Sequence, residues 1–112
     1  MKHYMNLHNE PFLLIKEGTK TIEMRLNDEK RQLLHVGDTL EFTNRLTNEK
    51  INTTIEALDK YESFEELYKH YDKVSIGYKE TEEANPKDME IYYPEEEQAK
   101  YGVVAIKIKV NV

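Results

Sequence analysis

Between Gly18 and Arg25 the chain reads Gly-Thr-Lys-Thr-Ile-Glu-Met-Arg, which sets two cations, Lys20 and Arg25, around one carboxylate, Glu23. Thr21, Glu23 and Arg25 alternate with Ile22, Met24 and Leu26, so on a strand they share one face. Residues two apart then lie about 6.5–7 Å from each other. Inside a pocket, Lys20 and Arg25 would hold a carbonyl or phosphate oxygen, and Glu23 would orient a base edge, a hydroxyl or a water. On an open strand face the same residues make a solvated ion pair worth about 0–1 kcal/mol. Spacing alone suits both.

The remaining chemistry-bearing residues are more dispersed. From Lys79 to Glu97 acids outnumber lysines eight to two, and such a run either supplies a carboxylate to a basic pocket or forms a solvated face. Tyrosine is abundant, with 8 residues. Most belong to packing, and Tyr92 and Tyr93, beside Pro94, are the pair best suited to stack on a base. His3, His8, His35 and His70 lack metal-ligand spacing, so no metal site is expected. The chain shows neither a glycine-rich phosphate loop nor a nucleophile-elbow serine.

The elements that must position these residues follow from periodicity and punctuation. His3 to His8 reads as a first strand. Asn9 is placed to cap a short apolar helix through Ile15, with Pro11 tolerated in its first turn and Gly18 ending it at positive φ. Thr21 to Leu26 reads as a strand with one buried and one polar face. Asn27 to His35 is a loop or single helical turn, and Val36-Gly37-Asp38 is a turn. Thr39 to Thr43 and Lys50 to Leu58 are strands joined by a hairpin-like loop. Ser63-Phe64-Glu65-Glu66 fits a capping box opening a helix over 63–71. Val74, Ile76 and Tyr78 suggest a brief extended piece, Pro86 opens a helical turn, and Pro94 to Lys100 forms another, stopped by Gly102. Val103 to Val112 is the strongest strand, with Val104, Ile106, Ile108 and Val110 on one face and Lys107 and Lys109 on the other. Four or five strands among short helices predict a mixed α/β, mainly β fold: a small curled sheet or barrel with helices over its ends.

Composition bounds the function. A chain of 112 residues is expected to be one domain. The absence of cysteine excludes disulfides, thiol nucleophiles and thiolate metal sites. No stretch approaches the ~20 apolar residues of a membrane span and no signal peptide opens the chain, so a cytoplasmic setting is expected. The net charge of -6 argues against a broad grip on duplex DNA, which needs a basic face. Between Lys16 and Arg31, however, five cations face four anions, which suits a small anionic or polar ligand near Lys20.

The pattern Gly18-x-Lys20-x-x-Glu23-x-Arg25 follows a helix over Pro11 to Glu17. With Val36-Gly37-Asp38-Thr39-Leu40-Glu41-Phe42, Ser63-Phe64-Glu65-Glu66-Leu67 and Tyr101-Gly102-Val103-Val104-Ala105-Ile106, it resembles the ASCH domain family over almost the whole chain. The resemblance implies a fold similar to the PUA domain: a small, mostly antiparallel β-barrel with helices around it and a cleft lined by the signature residues. It implies RNA or a nucleoside-like molecule as partner, and no cofactor is expected. One small bacterial branch of the family removes the acetyl group from acetylated cytidine, using a lysine, a threonine three residues later and a distal glutamate. Lys20 matches the lysine, Glu23 stands at the threonine position, and the distal glutamate falls near Glu80, with Glu82 and Glu83 close by. A carboxylate cannot replace a hydroxyl as an ordinary acyl acceptor, so the signature carries over and the triad does not.

Three functions remain open at this point. The first is a binding module whose cleft holds RNA, a nucleotide or a modified nucleoside through Lys20, Thr21, Glu23, Arg25, Tyr92 and Tyr93. The second is a small amidohydrolase or ribonuclease using Lys20, Glu23 and Glu80. The third is a protein-interaction domain whose cleft is unused.

Overall fold

The computed structural model describes residues 1–111, so Val112, expected to end the last strand, lies outside the described residues. The elements are β1 (Lys2–Leu7), α1 (Asn9–Glu17), β2 (Ile22–Leu26), β3 (Thr39–Asn44), β4 (Lys50–Tyr61), α2 (Phe64–Tyr68), α3 (Glu95–Tyr101) and β5 (Val103–Val110). Short 3-10 helices span Arg31–Leu33 and Pro86–Ile91. The five strands form one sheet in the order β1-β3-β4-β5-β2. All neighbours are antiparallel except β1 and β3, which run parallel. That pairing needs a long crossover, supplied here by α1, β2 and the following loop.

The sheet curls into a half-barrel, so its edge strands β1 and β2 return toward each other. Arg25 Nη2 on β2 donates to the Asn6 carbonyl on β1 at 3.1 Å across this seam. Hydrophobic residues cover both faces. One core joins Phe12 and Ile15 of α1 to Met5, Leu40, Phe42, Ile55, Val104, Ile106 and Ile108. The other joins Ile22, Met24 and Leu26 to Phe64, Leu67, Ile76, Val103 and Ala105. β5 thus serves both cores in its first half, with Lys107 and Lys109 exposed and Val110 half-buried.

Several local expectations are corrected. His8, not Asn9, holds the N-cap position of α1, without a side-chain cap. The Asn9 amide oxygen accepts instead from Asn44 Nδ2 at 2.9 Å. Ser63 Oγ caps α2 by accepting from the Glu66 N–H at 3.2 Å. The reciprocal half of the box is not made, because Glu66 pairs with Lys69. α2 stops at Tyr68, short of Tyr71. β4 continues past Leu58 to Tyr61 through a bulge between Ile55 and Ala57. Residues 73–77 form turns and Tyr78 is irregular, so 74–78 is no strand; the Ser75 carbonyl instead binds the Thr21 and Ile22 N–H groups at the start of β2.

Candidate functional site

α1 ends at Gly18 in the left-handed conformation, at φ 91°, which glycine adopts without the Cβ penalty. The N–H groups of Gly18, Thr19 and Lys20 all turn back onto the end of the helix. This reversal aims Lys20 inward, where its residue is only 8% exposed. On β2, Glu23 lies opposite Ile106 and Arg25 opposite Val104. Directly paired residues share a face, so Glu23 and Arg25 point into the barrel side with the first core. Spacing leaves a pocket and a solvated face both open for Glu23 and Arg25; the structure places them inside, and Glu23 is 3% exposed.

The three side chains converge. Lys20 Nζ donates to Glu23 Oε1 at 2.9 Å, and Arg25 donates to Glu23 Oε2 through Nε at 3.1 Å and Nη2 at 2.9 Å. The Met24 N–H adds a bond to Oε1 at 3.2 Å. Each carboxylate oxygen thus receives two donors, and Glu23 has no lone pair left for a ligand. Burial pushes the Glu23 carboxyl up, but the Lys20 and Arg25 charges outweigh it and hold it at about 2. Glu23 is therefore an anion at neutral pH, already saturated. Lys20 keeps two further N–H directions and Arg25 its Nη1, so the floor offers donors and a net positive charge.

These groups line a cleft of about 720 Å³. One side is formed by the β1–α1 junction, including Asn6, His8 and Pro11, with Arg45 from the β3–β4 turn. The other is formed by Ile76, Gly77 and Tyr78 and by Asp88, Met89 and Ile91 of the 3-10 helix. Gly77 has φ +113°, and a Cβ there would lie 3.3 Å from Lys20 Cδ. The glycine thus lets the turn close down on the lysine stem. A hydrogen-bonded chain runs along this wall: Tyr68 and Tyr78 hydroxyls at 2.9 Å, then Tyr78 to Asp88 Oδ2 at 2.7 Å. Burial, reinforced by these neighbours, raises the Tyr68 pKa, so the chain stays protonated.

The other expected site residues divide. Tyr92 lines the cleft at 58% exposure, its ring 6.3 Å from that of His8. Tyr93 also lines it but stacks on Phe64 at 5.6 Å, so its ring face is already used. Burial raises the Tyr93 pKa, with Arg25 beside it acting the other way. Thr21 does not line the cleft; its N–H is bound to Ser75. Of the acidic candidates only Glu82 reaches the cleft, whereas Glu80 and Glu83 do not. Glu80 is held by its carbonyl, which accepts from Lys73 Nζ at 2.7 Å. Sequence reasoning missed Asp88, Tyr78, His8, Arg45 and Gly77, none of which has a local signal separating it from ordinary turn and surface residues. Among the described residues no His, Asp and Glu group has the arrangement to hold a metal ion.

A second cleft, of about 710 Å³, takes Pro86, Lys87 and Glu90 from the same 3-10 helix and is walled by Glu62, Glu65 and Glu95. Its carboxylates make it a poor host for an anion.

The family described as the ASCH domain matches residues 5–111. The hypothetical protein PH0355 has a crystal structure that superposes with a TM-score of 0.84 at 32% identity, covering 99% of this chain and 100% of that one. Protein PF0455 from Pyrococcus furiosus superposes at 0.77, also with 32% identity, over 98% and 97% of the two chains. An ASCH domain from Lactobacillus crispatus matches in fold at a TM-score of 0.64 and 15% identity, over 97% of this chain and 79% of that one. No curated protein matches the chain.

Proposed function

This chain belongs to the ASCH domain family, and from that premise we propose that its cleft binds a nucleotide unit, of RNA or as a small molecule, without transforming it. The fold is one often linked to RNA. The observation that carries the reading is the buried Lys20–Glu23–Arg25 group at the floor of a 720 Å³ cleft. It is a donor-only floor, pre-organised by a carboxylate that itself cannot be reached. A base carbonyl or a phosphate oxygen is the complementary ligand atom. The exposed Tyr92 ring at the rim offers a face on which a base can stack, an interaction worth about 1–3 kcal/mol. Asp88 and Glu82, which also line the cleft, accept from the base's amino or imino edge.

Binding is favoured over hydrolysis because of the state of the carboxylates. Glu23, held near 2 and saturated by four donors, is a positioning residue and has no capacity as a general base. Of the candidates for the distal glutamate only Glu82 reaches the cleft, where it already accepts from the Lys79 N–H, and Glu23 stands where the related branch has its threonine.

The test is a binding panel of nucleosides, nucleotides and short oligoribonucleotides, read by calorimetry for the wild type, Lys20→Met and Tyr92→Ala. At least one panel member should bind, with affinity lost roughly tenfold or more in Lys20→Met, the scale of a charge-assisted hydrogen bond. Tyr92→Ala should weaken binding by a similar factor. Equal affinities in all three proteins would remove the cleft from the function. Turnover of acetylcytidine or labelled RNA that disappears in Lys20→Met would replace the binding reading with the hydrolytic one.

A further inference from the structure

Arg45 enters the cleft from the turn between β3 and β4, and its surroundings are built to hold it there. The turn is anchored by Asn44, which is 1% exposed. Asn44 Oδ1 accepts from the Leu46 N–H at 2.9 Å, and Asn44 Nδ2 donates to Asn9 at the start of α1 at 2.9 Å. The Asn44 backbone closes the turn through Glu49 and Asn48. The Arg45 N–H is bound to the Leu7 carbonyl at 2.9 Å, one residue beyond the Asn6 carbonyl that receives Arg25 Nη2. Two arginines are thus fixed to consecutive residues at the end of β1, one by its backbone and one by its side chain.

Their guanidinium groups differ in what they have already bound. Arg25 is committed to Glu23 and Asn6 through Nε and Nη2. The Arg45 guanidinium forms no ion pair or side-chain hydrogen bond among the described residues, although the far end of the same turn is tied down by Lys16 and Glu49. The cleft's own acids do not quench it. Glu10 faces Lys79, Asp88 receives the Tyr78 hydroxyl and Glu82 receives the Lys79 N–H. An arginine with a fixed backbone and a free planar fork of donors, lining the same cleft as Lys20 and Arg25, matches phosphate geometry.

We infer that the cleft takes a phosphate-bearing ligand, and that Arg45 contacts the phosphate at its mouth while Lys20 and Arg25 take acceptors at its floor. This rests on the nucleotide-binding reading and narrows it, excluding a free nucleoside as the preferred ligand. The phosphate has two sources, a mononucleotide's terminal group or an RNA phosphodiester.

The experiment compares nucleosides, their 5′- and 3′-monophosphates and a labelled oligoribonucleotide, each against wild type and Arg45→Gln. The best monophosphate or the oligonucleotide should bind roughly tenfold or more tighter than the matching nucleoside. Arg45→Gln should erase most of that margin while leaving nucleoside affinity unchanged. For the oligonucleotide, the slope of log K against log salt should fall in magnitude by about 1 in the variant. Tighter oligonucleotide than mononucleotide binding assigns the contact to a phosphodiester, and the reverse order to a terminal phosphate. Nucleosides binding as well as nucleotides, or Arg45→Gln leaving the phosphate margin intact, would overturn the inference while leaving base binding in place. Failure of every member to bind would overturn both.

Discussion

Glu23 shows how far a side chain's role depends on which way its strand faces. Its type and its neighbours Lys20 and Arg25 are plain in the sequence, and so is the alternation that puts it opposite Met24. What alternation does not reveal is that β2 is covered on both sides, because burial of the second face depends on β5 and on the curl of the sheet. The result is a saturated internal anion rather than a solvated pair. Removing it leaves two cations at a buried site, so Glu23→Gln should destabilise the fold by about 3–5 kcal/mol, measured as a shift in urea unfolding. The pH dependence follows from the same group. Its pKa falls from 4.5 in the unfolded chain to about 2 in the fold, so the unfolded state binds more protons between those values and stability rises with pH there. The contribution is present above about pH 4.5 and is lost as pH falls toward 2. It is on the order of 3 kcal/mol. Asp38, held at about 2 by His3 and the N-terminal amine, loses its contribution below its ordinary value of 3.8 in the same direction. Urea midpoints from pH 7 to pH 2 should therefore drop steeply for the wild type and less steeply for Glu23→Gln.

At the scale of elements, the segments with strong periodicity were legible and those held by long-range contacts were not. β2, β3, β5, the Gly18 stop and the Ser63 cap all follow from local chemistry. The Ser63 bond is local enough that Ser63→Ala should cost about 1 kcal/mol, read from the thermal midpoint. The turn over 74–78 misled because Val74, Ile76 and Tyr78 alternate like a strand. Their burial comes instead from Ser75 bonding to β2 and from Ile76 entering the second core. Asn9 misled in the same way, since its cap signal was local while its partner Asn44 lies across the parallel β1–β3 pair. Gly77 joins both themes: its backbone conformation and its approach to Lys20 arise only once the turn has docked. Gly77→Ala should cost about 1–3 kcal/mol from backbone strain and should also weaken ligand binding, because the new Cβ meets the Lys20 stem. A loss of stability with unchanged affinity would show that the turn is not a wall of the binding site.

For the whole molecule, the half-barrel's open seam explains why a chain of net charge -6 carries a cationic floor. The closed part of the sheet needs apolar residues on both faces. At the seam the edge strands β1 and β2 are joined by Arg25 instead of a ladder, and polar groups can enter the interior. Most of the carboxylates of the 79–97 segment are left to the outer surface and the second cleft, and total charge therefore gave little guide to the site. Arg45 was illegible for the same reason, because a charged residue in a hairpin turn is ordinarily solvated, and only the parallel pairing of β1 with β3 brings this turn beside the cleft. Amide chemical-shift mapping during titration with nucleotides and short RNA tests the binding site most directly. Nucleotide-unit binding at the seam predicts shifts concentrated at Lys20, Met24, Arg25, Gly77 and Tyr92, and their absence in Lys20→Met. Shifts centred on Ser63, Glu90 and Gln98 in the second cleft, or no shifts with any ligand, would contradict it.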